Sequence, residues 1–582
     1  MYDRWDLSVL YKGLDDPAYE ADFASLRQRQ QELKQLLARK SEISQTELIE
    51  GILDIREKTD MLAEKLGSFI SLSQAVETDN GELMAQYARF SRLLSEGAAD
   101  NAAAEKLMGA CEDTDALIKE SEICARNAFS LKEAKRNYRH LLSDEAEEIA
   151  SALDTNAGSA WGSLQSYLTS TLKVSCKGEE KTLSEVRNLA YSPDAELRKA
   201  AYKAEVEAYK KIEDSVAFAL NNIKNQVTTM TEKRGYESVL AKTLEDSRMS
   251  RATLDAMLQA IGEYLPDFRR YFRHKARLLG HKDGLPWYDL FAPVGSDDRV
   301  YSAKEAKDCL VNCFKDLSPD MAGMMERAFD EDWIDFYPRP GKEGGAFCAG
   351  LMDQKQARIL TNFDGSFGAV DTLAHELGHA YHDMQIQNES ALNRGYPMPI
   401  AETASTFNEL HLAEYALKNS APSERLALLD GSLRETSQCV VDISCRYMFE
   451  TKVFEQSRER FLMADDLNEM MLECQKQVYG DGLDPKYLNP GMWICKSHYY
   501  SSSFSFYNFP YAFGCLFAQG LYSLFKQRGA DFIADYKEML RLTGVHSIEE
   551  NALMLGIDLT DVRFWRESLK YIKNRIDEFC EV

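Results

Sequence analysis

Apolar side chains return every three or four residues through the first 110 residues of this chain, and that period belongs to helices. Between 20 and 40, Phe23, Leu26, Leu33, Leu36 and Leu37 form one stripe among charged residues, and 44–110 continues the pattern. Proline breaks helix interiors, and only 14 of 582 residues are proline, so little interrupts such helices. The period predicts a mainly α protein. Ser192-Pro193-Asp194 reads as a helix start, with Ser192 as cap and Pro193 at the first helical position. A long helix is expected over 195–230, ending before Arg234-Gly235-Tyr236. Strand signals gather in one glycine-rich place, 338–363, with extended candidates at 346–348 and 358–363. There Gly341, Gly344, Gly345 and Gly350 suit turns and close backbone approach.

Length alone suggests about four domains at roughly 150 residues each, yet no repeat or low-complexity linker divides the chain. Lys and Arg number 69 against 94 Asp and Glu, a net charge of −25. That excess repels nucleic acid and anionic membrane, so neither is expected as a partner. No run approaches the 18 apolar residues of a membrane span. The start, MYDRWDLSVLYKG, lacks a basic stretch followed by an apolar run. The twelve cysteines are scattered, and the closest pair, Cys309 and Cys313, reads as two buried thiols on one helix face. A reduced, cytoplasmic protein is the expectation.

The chemistry lies in DTLAHELGHAYH, residues 371–382. His375 and His379 are four apart, so a helix points both imidazoles at one ion. Zinc is the usual partner of two histidines and a carboxylate, with a fourth position left to water, and Glu376 is placed as general base. Chance would give roughly 0.01 such matches in a chain of this composition. The third ligand is sought in AETASTFNE, residues 401–409, where Glu402 stands 23 residues beyond His379. Helix, loop, second helix fits that distance. Glu409, seven further on, shares a helix face with Glu402 and can orient a ligating histidine through its free ring nitrogen. Asp371, one turn before His375, is a second-shell acceptor or a first-turn acid favouring the helix dipole. His382 is expected on the surface or in the second shell.

Attack on an amide builds negative charge on the carbonyl oxygen, which needs donors. In KSHYYSSSFSFYNFPYAFG, residues 496–514, His498, Tyr507 and Tyr511 are suitable, and a helix would point the two tyrosines the same way.

HELGHAYH followed by AETASTFNE resembles the thimet oligopeptidase and oligoendopeptidase F family of zinc metallopeptidases. WDLSVLY, LAYSPDAELRKAAY, EKRGYESVL, PWYDLFAPV, GKEGGAFCAG and FYNFPYAFG extend the resemblance to oligoendopeptidase F along most of the chain. It implies a two-lobed helical ellipsoid with a deep channel and a small β-sheet beside the HELGH helix. It further implies an N-terminal helical domain over 1–190 and a catalytic domain over 191–582. One zinc ion per chain would be held by His375, His379 and Glu402, with Glu376 as base. The family's substrate-contacting strand falls on Gly344, Gly345, Ala346 and Phe347, where an extended peptide adds as a strand. Its oxyanion donors map onto His498, Tyr507 and Tyr511. Phe509 stands where the family often has tyrosine, so the choice among the three stays open. The implied function is hydrolysis of internal bonds of oligopeptides. The alternatives are an exopeptidase on the same scaffold and a non-catalytic helical peptide-binding protein.

Overall fold

The computed structural model describes residues 3–295 and 299–581. Its first three helices are α1 (Pro17–Ala38), α2 (Gln45–Val76) and α3 (Gly81–Gly109). Each is capped by a side chain that accepts backbone N–H groups: Asp16, Ser44 and Asn80. On α1 the predicted stripe is buried at Phe23, Leu26 and Leu33, joined by Tyr19. One apolar cluster centres on Tyr11, Tyr19, Phe23 and Phe69 and extends to Leu351 and Leu360 of a later sheet. A second gathers Ile49, Leu53, Met108 and Leu131.

Three expectations fail in the next segment. A hairpin, β1 (Lys173–Cys176) and β2 (Glu179–Thr182), lies outside the glycine-rich region where all strand signals were expected. Its signal is short: Val174 and Cys176 alternate inward, and Lys177-Gly178 turns with φ of 51° and 85°. The helix start at 192–194 is shifted. Asp194, not Ser192, caps α4 (Ala195–Tyr209), accepting from the N–H groups of Glu196 and Leu197. Ser192 and Pro193 stay outside, because Ser192 Oγ is engaged by Asp194 N–H. The expected single helix over 195–230 is two: α4, then α5 (Glu213–Lys233). The turn between them lets Ile212 enter the core beside Tyr209 and Val216.

The three-stranded sheet has the order β3 (Ile334–Asp335), β5 (Gln356–Leu360), β4 (Phe347–Leu351). β3 runs parallel to β5, and β4 antiparallel to it at the edge. The two predicted strands exist with shifted ends, and β3 was not anticipated because two residues carry no period. From β5 the chain passes into α6 (Phe367–Ile386), capped by Ser366 Oγ on Ala369 N–H. Then follow α7 (Thr403–Asn419), α8 (Phe509–Arg528) and α9 (Val562–Glu581). Val370, Leu373, Leu377 and Tyr381 of α6 enter the largest core cluster with Phe407, Phe513, Phe517 and Trp565.

All twelve cysteines are free. Among the described residues no helix is long and apolar enough to cross a membrane.

Candidate metal centre

HELGH lies mid-way along α6, and α7 packs against it. Gly378 sets how closely. A Cβ there would stand 2.6 Å from Ser405 Cα and 2.7 Å from Ala404 O, so no larger residue admits α7 at this distance. The buried Asn408 Nδ2 donates to Ala374 O at 3.1 Å and clamps the pair. The approach brings Glu402, at the joint between the short helix Met398–Ala401 and α7, onto the imidazoles. His375 Nε2 and His379 Nε2 are 3.2 Å apart, and Glu402 Oε2 lies 3.3 Å from the first and 3.4 Å from the second. Among the described residues this is the single cluster of three metal-ligating side chains.

The surroundings orient these donors. Ser405 Oγ donates to Glu402 Oε2 at 2.9 Å, and Glu409 Oε1 is 2.8 Å from His375 Nδ1. With a metal bound, Nδ1–H donated to Glu409 would leave the Nε2 lone pair to face the ion. Burial works to raise the Glu402 carboxyl, but hydrogen bonds from both imidazoles outweigh it and hold the group well below the usual carboxylate range. For His375 burial works downward, and the two carboxylates reverse it, bringing the imidazole up to about 11. Glu376 is buried, and burial raises its carboxyl while the two imidazoles oppose.

Neighbouring residues divide by placement. Asp371 is in the second turn of α6, not the first, so the first-turn dipole role does not apply. It lines a cavity of about 300 Å³ with Glu409 and Glu435, and burial and those two carboxylates raise its carboxyl strongly. His382 is neither on the surface nor at the cluster. It is fully buried, stacks on Tyr396 at 4.3 Å, and its Nε2 is 2.8 Å from Thr543 Oγ1. Burial, seconded by His379, pushes it down to about 3.

α8 comes in from another side. A Cβ on Gly514 would be 3.3 Å from Glu402 Cβ, so this turn of α8 rests on the third cluster residue. Tyr511, three residues earlier, feels the Glu402 charge, though burial is the larger cause of its raised phenol. Tyr511 Oη donates to Tyr507 Oη at 3.2 Å. Tyr507 precedes α8 rather than sharing it, because Phe506 takes φ 52° and turns the chain. The His498 ring lies 6.2 Å from Tyr507, near parallel. Its buried Nε2 has no partner, and burial with the Arg446, Lys496 and Lys224 cations pushes the imidazole down to about 2.

Gly344, Gly345 and Ala346 lead into β4, which begins at Phe347. Asn362 Nδ2 pins this approach by donating to Glu343 O and Gly345 O at 3.0 and 2.9 Å. β4 pairs with β5 alone, so its outer edge is unpaired within the described sheet. Ser405, Asn408 and Gly378 were not anticipated. Their signal was there: Ser405 is three residues after Glu402, one helical turn, and Gly378 sits inside HELGH itself.

The profile of Peptidase family M3 matches residues 314–571, and that of Oligopeptidase F matches 111–173. Oligopeptidase PepF of Bacillus subtilis (strain 168) is 24% identical over 476 residues, 80% of this chain and 70% of that protein. In fold, the chain is similar to a putative peptidase from Chlamydophila abortus, at 21% identity and TM-score 0.85, covering 100% of this chain and 98% of that one. It is also similar to oligoendopeptidase-F from Enterococcus faecium, at 18% identity and TM-score 0.72, covering 97% and 98%. Residues 314–571 thus match peptidase family M3, and the chain along most of its length resembles the oligoendopeptidase F proteins.

Proposed function

We propose that this peptidase is a zinc endopeptidase that hydrolyses internal bonds of oligopeptides, with Glu376 as general base. The observation that carries the reading is the donor triangle of His375 Nε2, His379 Nε2 and Glu402 Oε2, with sides of 3.2, 3.3 and 3.4 Å. A tetrahedral centre with donor bonds of about 2.0–2.1 Å has edges of about 3.3–3.4 Å, so the three residues fit zinc in size and in chemistry. When bound, zinc supplies Lewis acidity that acidifies water and polarises a carbonyl.

The chain's own residues do the rest. Glu409 and Ser405 hold the ligands in orientation, which limits their rearrangement during turnover. The open edge of β4 pairs with an extended peptide through backbone hydrogen bonds and so accepts many sequences. Glu376, one residue from the first ligand, takes the proton of the attacking water and returns it to the leaving amine. Tyr511 turns its one O–H from the Tyr507 hydroxyl toward the carbonyl oxygen as that oxygen gains charge, and the Tyr507 hydroxyl can then donate back to Tyr511. The test is Glu376→Gln, expected to keep one equivalent of zinc while turnover falls by roughly three to five orders of magnitude. Near-full activity in that variant sinks the mechanism. Cuts inside a peptide blocked at both ends, abolished by a chelator, separate an endopeptidase from an exopeptidase.

A further inference from the structure

The cavity of about 300 Å³ beside Glu409 is walled by α6, α7, the helix Pro422–Ser437 and α8. That volume is at the lower end for small-ligand sites. One part of the wall is apolar, from Phe367, Leu410, Ala413, Leu417 and Leu428. Another carries three carboxylates, Asp371, Glu409 and Glu435, against one cation, Arg434. Arg434 lies 4.0 Å from Asp430, which is outside the wall, and Glu409 is held by His375. Asp371 and Glu435 make neither a hydrogen bond nor an ion pair with any described residue. A further observation comes from α8. Gln519, 3% exposed, lines the same cavity, and its Oε1 is a buried acceptor without a hydrogen-bond partner. Such an atom costs free energy until a donor reaches it.

Two unpaired carboxylates and an orphaned amide oxygen call for a cation rich in donors. A small metal ion does not suit them: among the described residues only His375, His379 and Glu402 bring three ligand atoms close enough to share one. A primary ammonium does, because it has three N–H donors, no acceptor and a compact charge that satisfies separate acceptors. An alkyl stem behind it would lie along the apolar part of the wall and lose contact with water.

We propose that this cavity binds a primary ammonium on an unbranched alkyl stem, with Asp371 and Glu435 as counter-charges and Gln519 Oε1 as a further acceptor. Two sources share that chemistry: the side chain of a substrate lysine and a free alkylamine. The first rests on the peptidase reading above. Glu409 both lines the cavity and bonds His375, and Asp371 is one turn before that histidine, so a lysine held here stands beside the reacting bond.

The experiment has two arms, both with zinc-loaded enzyme. In the first, ligand-observed NMR titrates n-butylammonium chloride, the lysine side chain without its backbone, beside uncharged 1-butanol at fixed ionic strength. Wild type should bind butylammonium and not butanol. Affinity should fall at least about tenfold in Glu435→Gln, as loss of a charge-assisted hydrogen bond allows, and be largely kept in Glu435→Asp. In the second arm, nonapeptides blocked at both ends carry lysine, or its uncharged analogue norleucine, at each position in turn. Lysine should exceed norleucine in kcat/KM by at least about tenfold at one distance from the cut, in wild type and not in Glu435→Gln. Butylammonium binding without a lysine preference assigns the site to a free amine, and a lysine preference without butylammonium binding assigns it to the peptide. Neither effect in wild type, or effects that Glu435→Gln leaves unchanged, overturn the proposal. A wild type that cuts none of the peptides overturns the peptidase reading instead, and the first arm then decides the cavity alone.

Discussion

Gly378 and Ser405 face each other across the α6–α7 contact at a distance that leaves no room for a β-carbon: one built on Gly378 would lie 2.6 Å from Ser405 Cα. The obstacle is backbone, not a flexible side chain, so it cannot turn aside. Through this contact a glycine inside the histidine motif decides whether Glu402 reaches the histidines.

Gly378→Ala should therefore push α7 away and loosen the cluster. Overpacking of this kind costs about 1–3 kcal/mol, and zinc affinity should fall with it. Urea unfolding and metal titration of the purified variant check both. Wild-type stability and affinity together would mean that the helix contact does not set the ligand geometry.

Glu409 holds His375 Nδ1 at 2.8 Å. Glu409→Gln keeps the shape but weakens the hold on the ring and lowers its basicity. Zinc affinity should drop roughly 10–100-fold, read by competition with a chromogenic chelator. An unchanged affinity would assign Glu409 to the cavity it shares with Asp371 and Glu435 rather than to the ligand.

Tyr511 sits beside Glu402 and Tyr507 one hydrogen bond further out. If Tyr511 meets the developing oxyanion, Tyr511→Phe should lower kcat by roughly 10²–10³-fold with KM little changed. Tyr507→Phe should cost less, because it removes only the support. Equal losses, or a larger loss in Tyr507→Phe, would reassign the donor.

His382 is buried with its imidazole pushed down to about 3. An unfolded histidine takes up its proton near pH 6.5, so between those values the unfolded chain binds the extra proton. Stability should fall as pH drops from about 6.5 toward 3 and be unaffected by this group above that window. His382→Phe, which keeps a ring against Tyr396, should flatten the acid limb of stability against pH. Urea midpoints at pH 7 and pH 5 for both proteins decide it. The same pH dependence in the variant would show that other groups carry the acid sensitivity.

What the amino-acid order determines by itself is local. The three- and four-residue period specifies α1 to α3, because a helix buries such a stripe whatever it meets. HELGH specifies two imidazoles on one face for the same reason, and the fold is mainly α as the period requires. Where a choice depends on competition between neighbours, short-range reading fails. Asp194 takes the cap from Ser192 because its carboxylate reaches two N–H groups, and α4 ends at Tyr209 because the core takes Ile212. The β1–β2 hairpin and the two-residue β3 are too short to carry a period at all.

Convergence across distance belongs to the tertiary structure. Spacing nominated Glu402, but its position 3.3 Å from His375 and 3.4 Å from His379 depends on the close passage at Gly378, the clamp from Asn408 and the hydroxyl of Ser405. His382 lies one turn from His379 and still faces Thr543 and Tyr396, because three residues along a helix turn a side chain about 300° from its neighbour and the packing there is different.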